Sequence, residues 1–219
     1  MDNAKRPLTV ALTKGRLAGK TLELFAAGGI DTAGADDPKT RKLIFESADK
    51  SMRFFLAKGP DVPTYVYYGA ADVGIVGRDT ILEENKKIYE VLDLGFGKCR
   101  MCVCGPASAA EKLGSGETLR VATKYPRIAR EYFMEKRRRN VEIIKLSGSI
   151  ELAPIVGLAD VIVDIVETGS TLRENGLSVL EEVCPLSARV VVNRVSMKMQ
   201  QEAVTKLIGT LEEALAAGK

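Results

Sequence analysis

The sequence predicts an α/β fold in which strands and helices alternate along the chain. Short apolar runs of strand length recur between segments with helical spacing, and glycine turns follow several of these runs. The composition, 46% hydrophobic and 28% charged over 219 residues, is that of a globular protein with a sizeable core. Alternation of this kind is typical of parallel sheets with helices on both faces.

The first part of the chain opens with a strand at residues 8–13, the turn Lys14-Gly15-Arg16 and a helix containing Leu17, Leu24 and Phe25. Further strands are predicted at residues 42–45, 52–57, 71–77 and 88–94. Helices are predicted between Pro60 and Tyr68 and from Asp79 onward.

The pattern restarts after Gly95-Phe96-Gly97. Strands are predicted at residues 99–104, 119–123, 141–146, 161–163, 177–183 and 189–195, the last two joined by a turn near Pro185. Helices are predicted at residues 128–138, 149–158 and 196–217, the last with Met199, Ala203, Leu207 and Leu211 on one face. We therefore expect two α/β lobes, residues 1–97 with 186–219 and residues 98–185, with the C-terminal helix packing on the first.

Composition excludes several classes of function. A net charge of +3, 5% aromatic residues and no Trp argue against a nucleic-acid surface. No apolar run has the ~18–20 residues of a membrane span. The first residues are charged without an apolar run behind them, so we expect no signal peptide. Cys102 and Cys104 would share one face of a strand, so we expect buried, reduced thiols and a cytoplasmic protein, with a structural metal or a redox pair as the alternative. A small anion is the expected partner.

The sharpest functional signal is the segment from Val161 to Leu172. A buried strand leads into Asp164 and Glu167, and Thr168, Gly169, Ser170 and Thr171 follow at a helix start. Unpaired backbone N–H groups at a helix start attract phosphate, and glycine permits close approach. The two carboxylates would repel a phosphate unless they face ribose hydroxyls or a phosphate-bound metal. The alternative is a simple helix cap at Thr168.

Two weaker signals lie earlier in the chain. Lys14-Gly15-Arg16 places two cations at the carboxyl end of a strand, where parallel sheets bind ligands, although a solvated loop would also explain them. The stretch from Gly69 to Asp79 is rich in glycine, which permits close approach of a ligand or of neighbouring backbone. Asp79 itself would also serve as a helix N-cap.

Together these features resemble the ATP phosphoribosyltransferase family, the first enzyme of histidine biosynthesis. The resemblance spans nearly the whole chain in order. It is carried by the segments Leu12-Thr13-Lys14-Gly15-Arg16-Leu17, Thr40-Arg41-Lys42-Leu43, Asp61-Val62-Pro63-Thr64-Tyr65-Val66, residues 69–79, Leu94-Gly95-Phe96-Gly97-Lys98-Cys99-Arg100 and residues 148–172.

The resemblance implies a two-lobed fold of the type II periplasmic-binding-protein kind, with the active site in the interlobe cleft. It also implies transfer of phosphoribosyl from phosphoribosyl pyrophosphate to N1 of ATP, with Mg²⁺, although which carboxylate binds the metal stays open. By similarity, the phosphoribosyl pyrophosphate site comprises Glu151, Asp164, Glu167, Thr168, Gly169, Ser170 and Thr171. Arg16 and Arg41 are the expected catalytic cations, and the expected nucleotide-binding residues are Lys14, Lys58 and Asp79. Lys58 stands where arginine is expected, so a bidentate contact would be lost there.

The resemblance is to the short form of the family, because the chain ends just after the last predicted helix, without room for a C-terminal regulatory domain. It implies a separate regulatory subunit related to histidyl-tRNA synthetase, and self-association as a dimer is also expected. The alternatives are a base-salvage phosphoribosyltransferase, which has a similar acidic Thr-Gly loop, and a non-enzymatic solute-binding protein. A ligand-sensing domain of a transcription regulator is a weaker third.

Overall fold

The computed structural model describes residues 6–32, 34–35 and 42–218. The chain divides into two compact units: unit 1 is Met1–Gly97 with Ser187–Lys219, and unit 2 is Lys98–Leu186. These boundaries lie within one residue of the predicted lobes. The roles assigned to the lobes stay predictions.

Strands and helices alternate along most of the chain, although β2–β3, β5–β6 and β10–β11 are consecutive strands. The strands are β1 (Leu8–Thr13), β2 (Ile44–Glu46), β3 (Met52–Ala57), β4 (Val73–Gly77), β5 (Tyr89–Asp93), β6 (Cys99–Gly105), β7 (Leu119–Thr123), β8 (Val141–Lys145), β9 (Val161–Val166), β10 (Ser178–Leu186) and β11 (Ala188–Val192). The α-helices are α1 (Arg16–Ala27), α2 (Val62–Tyr67), α3 (Arg78–Glu84), α4 (Ala109–Gly114), α5 (Pro126–Glu131), α6 (Leu152–Ile155), α7 (Ser170–Glu174), α8 (Ser196–Met199) and α9 (Gln201–Ala217). A 3₁₀ turn spans Gly59–Asp61 and a π-helical turn spans Tyr132–Lys136.

Unit 1 contains a six-stranded sheet in the order β2-β3-β1-β4-β11-β5. Strands β3, β1 and β4 are parallel neighbours, whereas β11 runs antiparallel to β4 and β5. Its core joins apolar residues of these strands to α1 and α9, including Val10, Phe25, Ile75, Leu207 and Leu211. The C-terminal helix thus belongs to unit 1, as expected.

Asp72 is a fully buried carboxylate in unit 1 that connects distant parts of the chain. It accepts hydrogen bonds from the Arg6 guanidinium at 2.6 and 3.0 Å, from Thr9 N at 2.9 Å and from Ser196 Oγ at 2.6 Å. Because a buried charge is tolerated only when it is paired and hydrogen-bonded, these contacts stabilise the junction of β1, β4 and α8.

Unit 2 contains a five-stranded sheet in the order β10-β6-β9-β7-β8. Strands β9, β7 and β8 are parallel, whereas β6 is antiparallel to β9 and β10. Cys102 and Cys104 are buried in the same core cluster, as their spacing predicts. Both sheets are therefore mixed, where the sequence predicted parallel sheets.

Asp160 connects β7 to the turn before β9. Its carboxylate accepts hydrogen bonds from Arg120 N at 2.9 Å, the Arg120 guanidinium at 3.2 Å and Lys112 Nζ at 3.0 Å. Burial opposes the charge on this group, but the hydrogen bonds prevail and lower its pKa to about 2.

The second half of the chain differs from the prediction in several elements. Helix α4 was not predicted. The helix expected at residues 149–158 is only the four residues of α6, and the one expected at 128–138 becomes α5 followed by the π-helical turn. Strand β9 continues to Val166, three residues beyond its predicted end.

The turn expected near Pro185 is absent. Pro185 lies inside β10 opposite Arg100, and only Ser187 separates β10 from β11, which belongs to the other unit. Proline is tolerated there because β10 is an edge strand, whose outward N–H groups need no ladder partner.

The final predicted helix is interrupted at Gln200, which has a non-helical backbone with ψ of 32°. Met199 is therefore 78% exposed instead of facing the core, while Val204, Leu207 and Leu211 are buried. Along the described residues, no helix has both the length and the apolar character needed to cross a bilayer.

Candidate active site

The residues predicted to bind the sugar phosphate line one cavity in unit 2. This cavity of about 350 Å³ is bounded by Glu151, Asp164 and every residue from Glu167 to Thr171. The structure therefore brings together all seven residues that the family resemblance assigns to phosphoribosyl pyrophosphate. Their roles stay predictions.

The loop between β9 and α7 owes its shape to Gly169. This residue has a left-handed backbone with φ of 72° and is the N-cap of α7, in place of the alternative cap at Thr168. The Oγ atoms of Thr168 and Ser170 lie 3.1 Å apart, and the Arg173 guanidinium donates to the Thr168 carbonyl at 3.1 Å. The loop thus presents two hydroxyls beside the backbone N–H groups that begin a helix.

The cavity also contains a pair of interacting carboxylates. Burial raises the pKa of Asp164. A hydrogen bond from Ile165 N at 2.8 Å and the charge of Lys124 oppose that rise, whereas the negative charge of Glu151 adds to it. Such an environment favours a partner that hydrogen-bonds to these carboxylates or offsets their charge.

The sheet places this cavity at the carboxyl ends of its parallel strands. Thr123, the last residue of β7, pairs with Val163 of β9 and with Lys145 of β8. The buried Thr123 hydroxyl also donates to the Val163 carbonyl at 2.6 Å. Ligands of α/β sheets bind at such strand ends, so this edge is the expected location of a site.

Unit 1 presents a second set of predicted residues at the corresponding edge of its own sheet. Lys14 follows β1, Lys58 follows β3 and Asp79 lies in the first turn of α3, just after β4. Lys14 N donates to the Ala57 carbonyl at 2.8 Å, and Thr13 Oγ1 donates to the Ile75 carbonyl at 2.8 Å. The three parallel strands therefore hold these side chains along one edge.

The loops at this edge approach one another closely. A Cβ atom at Gly59 would lie 3.5 Å from Thr13 Cγ2 and 3.8 Å from Thr80 Oγ1. Arg16 is exposed at the start of α1 on the same edge. Arg41, the other expected catalytic cation, lies outside the described residues.

The glycines between residues 69 and 79 serve packing as well as turns. A Cβ atom at Gly74 would lie 2.8 Å from methyl groups of both Val62 and Val66, so this glycine lets α2 pack directly on β4. The N-cap of α3 is Gly77, and Asp79 is two residues further on, so the alternative interpretation of Asp79 as the N-cap is wrong. The Asp79 carboxylate instead lies over Gly77.

Three residues at the unit 2 edge were missed from the sequence. Lys124 follows β7 beside Asp164, Arg173 supports the loop through the Thr168 carbonyl, and Ser149 has a left-handed φ of 48° two residues before Glu151. The rule that drew attention to Lys14, a cation at the end of a parallel strand, applies equally to Lys124. No local signal identifies Arg173 or the strain at Ser149.

The two sheets and the cavity together indicate the class of protein. A glycine- and hydroxyl-bearing helix start beside half-buried carboxylates, at the carboxyl ends of parallel strands, is characteristic of α/β enzymes that bind phosphorylated substrates. A family model described as ATP phosphoribosyltransferase matches residues 58–213. The chain belongs to the ATP phosphoribosyltransferase family.

Individual relatives agree with this family assignment. An ATP phosphoribosyltransferase of Lachnoclostridium phytofermentans is 67% identical over 208 residues, covering 95% of this chain and 97% of the relative. One of Ruminiclostridium cellulolyticum is 56% identical over 211 residues, covering 96% of this chain and 98% of the relative.

A solved structure is similar over nearly the whole chain. It is the structure of an ATP phosphoribosyl transferase (HisG:HisZ) complex from Thermotoga maritima, with a TM-score of 0.80 and 35% identity over 96% of this chain and 99% of that chain. This similarity confirms the predicted type II periplasmic-binding-protein-like, two-domain α/β fold. Family membership also confirms the predicted enzyme class, and it decides against a base-salvage enzyme and a solute-binding protein.

Proposed function

We propose that this chain transfers the phosphoribosyl group of phosphoribosyl pyrophosphate to N1 of ATP, as the first step of histidine biosynthesis. Products are phosphoribosyl-ATP and pyrophosphate. The observation that carries the proposal is the single cavity of about 350 Å³ lined by Glu151, Asp164 and residues 167–171. Membership of the ATP phosphoribosyltransferase family supports the choice of reaction.

The cavity suits a ribose phosphate by the chemistry of its two ends. The backbone N–H groups of residues 169–171 and the hydroxyls of Thr168 and Ser170 would bind the 5-phosphate. Asp164 and Glu151 would accept hydrogen bonds from the ribose hydroxyls. This role would explain why two carboxylates lie next to a binding site for an anion. Each hydrogen bond to a charged group contributes about 1.5–3 kcal/mol.

The carboxylates also fit Mg²⁺. Burial and the neighbouring Glu151 charge raise the pKa of Asp164, and a divalent cation would offset both effects. Mg²⁺ usually binds through one or two carboxylates plus substrate phosphates, and Asp164 and Glu151 line the same cavity. Bound there by Asp164 or Glu151, Mg²⁺ would neutralise charge on the leaving pyrophosphate.

The edge of unit 1 suits the nucleotide and the polyphosphates. We assign Lys14, Lys58 and Asp79 to ATP, and Arg16 and Arg41 to the negative charge that grows on pyrophosphate as it leaves. Lys58 supplies charge without the bidentate geometry of arginine. The positive charges of these side chains would stabilise the transition state.

The reaction does not require a general base on the attacking atom. The chain contains no His, the commonest general base in enzymes. The lone pair of adenine N1 is already available, so no proton must leave before attack. Alignment of the two substrates and fixed positive charge therefore account for most of the expected catalysis.

A regulatory partner is the second part of the proposal. The similar structure from Thermotoga maritima is a HisG:HisZ complex, and the aligned region covers 99% of the chain that it matches. We infer that this chain also assembles with a regulatory subunit related to histidyl-tRNA synthetase. Self-association as a dimer and a cytoplasmic location remain predictions. The four cysteines form no disulfide in the described part of the chain, as expected in a reducing compartment.

An absorbance assay tests the reaction. Purified protein is mixed with ATP, phosphoribosyl pyrophosphate and Mg²⁺, with and without the regulatory subunit, and ultraviolet absorbance is followed for N1-substituted adenine. We expect product only when both substrates are present. No product under either condition, with folded protein and authentic partner, would contradict the proposed activity.

A further inference from the structure

The cavity that is proposed to bind phosphoribosyl pyrophosphate contains acids but lacks a cation among its lining residues. Glu151, Asp164 and Glu167 contribute carboxylates, and the other lining residues are uncharged. Phosphoribosyl pyrophosphate is strongly anionic, so charge repulsion must be offset from nearby. The adjacent Arg173 guanidinium donates to the Thr168 carbonyl and thereby supports the loop.

Lys124 is the cation that the sheet places beside this cavity. Strands β7 and β9 are parallel neighbours in which Thr123 pairs with Val163, and the next residues along the two segments are Lys124 and Asp164. The Lys124 side chain is exposed. It is close enough to Asp164 for the two charges to interact.

The backbone around Lys124 is fixed on both sides. The Thr123 side chain is fully buried, and its hydroxyl donates to the Val163 carbonyl at 2.6 Å. The same oxygen accepts a hydrogen bond from Tyr125 N at 2.8 Å, and Tyr125 is itself buried. A long, mobile ammonium is thus presented from a rigid turn, which is a suitable arrangement for a phosphate contact.

We propose that Lys124 is a further substrate-binding residue that contacts the pyrophosphate group of phosphoribosyl pyrophosphate. The assignment rests on the proposed function. In the proposed function, the loop amides at residues 169–171 bind the 5-phosphate, and the carboxylates accept hydrogen bonds from the ribose hydroxyls. Mg²⁺, Arg16 and Arg41 are proposed to meet the charge of the pyrophosphate, but none of these is a side-chain cation of unit 2. Lys124 would add one from the strand next to β9.

Two variants and a matched control test this contact. Lys124→Met removes the ammonium and keeps an apolar stem, and Lys124→Arg restores a cation. Lys145→Met is the control, because Lys145 is also exposed and ends the neighbouring strand β8, on the side of β7 away from β9. Inorganic pyrophosphate, ribose 5-phosphate and phosphoribosyl pyrophosphate are titrated separately by calorimetry with Mg²⁺ present.

Lys124→Met should weaken pyrophosphate and phosphoribosyl pyrophosphate binding by about 10- to 100-fold, as expected for one lost charge-assisted contact. Ribose 5-phosphate binding should change by less than about threefold, Lys124→Arg should recover most of the loss, and Lys145→Met should match wild type. If Lys124 had only a structural role, its replacement would change the affinities for inorganic pyrophosphate and ribose 5-phosphate by similar factors.

Unchanged pyrophosphate affinity in Lys124→Met, or an equal loss for ribose 5-phosphate, would overturn the assignment. An equal loss of affinity in Lys145→Met would also overturn it, because any nearby positive charge would then account for the effect. Wild-type protein that binds none of the three probes would instead contradict the proposed function, so the two failures are distinguishable. Circular dichroism and melting curves verify that each variant is folded.

Discussion

Replacing Gly169 is the sharpest perturbation of the proposed phosphate loop. Gly169 has φ of 72°, and a Cβ atom there would lie 3.4 Å from the Arg173 guanidinium and 3.6 Å from Val166 Cγ1. Space is therefore nearly sufficient, and the penalty arises from the backbone. An L-residue in the left-handed region costs about 1–2 kcal/mol, and more when it is β-branched. Gly169→Val should relieve this strain by rotating the loop.

The rotation would turn backbone N–H groups away from the 5-phosphate. Loss of one charge-assisted hydrogen bond costs about 1.5–3 kcal/mol, which corresponds to roughly 10- to 150-fold in affinity. We therefore expect Gly169→Val to weaken phosphoribosyl pyrophosphate binding by at least tenfold. ATP affinity, measured in a separate titration by calorimetry, should remain close to wild type.

Gly157 offers a matched control. It also has a left-handed φ, 74°, and a Cβ atom there would meet nothing within 4 Å. Gly157→Val should therefore carry a similar backbone cost while leaving the loop intact, so the melting temperature falls but phosphoribosyl pyrophosphate affinity is kept. Equal weakening of both substrates by Gly169→Val, or equal loss in the control, would refute the assignment of the loop.

Three further predictions concern catalysis, stability and thiol chemistry. Arg16→Ala, and equally Arg41→Ala, should raise the barrier by about 2–4 kcal/mol in steady-state turnover with an unchanged circular dichroism spectrum, and wild-type rates would remove these residues from the mechanism. Because the folded pKa of Asp160 is lowered to about 2, its contribution of roughly 2 kcal/mol should be present above pH 4 and be lost as pH falls toward 2. The free energy of unfolding in urea should therefore differ between Asp160→Asn and wild type by an amount that shrinks as the pH falls. A difference that does not change with pH would show that the charge of the Asp160 carboxylate is not the cause. Burial raises the pKa of the Cys104 thiol to about 12, so iodoacetamide at pH 8 should label the half-buried Cys184 first in mass spectrometry, and the reverse order would contradict this.

The sequence was informative where the signal is local. The apolar run before Asp164, the glycine at 169 and the hydroxyls around it are adjacent in the chain, and the structure brings all of them to one cavity. Glu151 is thirteen positions before Asp164, so residue chemistry alone did not place it there. Resemblance to the family did.

Features that depend on the sheet order could not be predicted from local patterns. Pro185 was expected to mark a turn, but it is accommodated in an edge strand whose position depends on the pairing of β10 with β6. Asp72 lies in a glycine-rich stretch that suggested a ligand site. Its partners Arg6 and Ser196 are far away along the chain, so its buried role appears only after folding.

Met199 illustrates a third limit. Helical spacing placed it on the buried face with Leu207 and Leu211, but the break at Gln200 rotates the preceding turn out of phase. No glycine or proline announces this break. Hydrophobic periodicity predicts which residues would share a face of an uninterrupted helix. It cannot predict a break in the helix that no glycine or proline marks.

A crystal structure of the protein with phosphoribosyl pyrophosphate tests the central claim most directly. We predict that oxygens of the 5-phosphate lie about 2.7–3.2 Å from backbone nitrogens of residues 169–171, with ribose hydroxyls facing Asp164 or Glu151. A 5-phosphate bound elsewhere, with those amides facing away from the ligand, would contradict it.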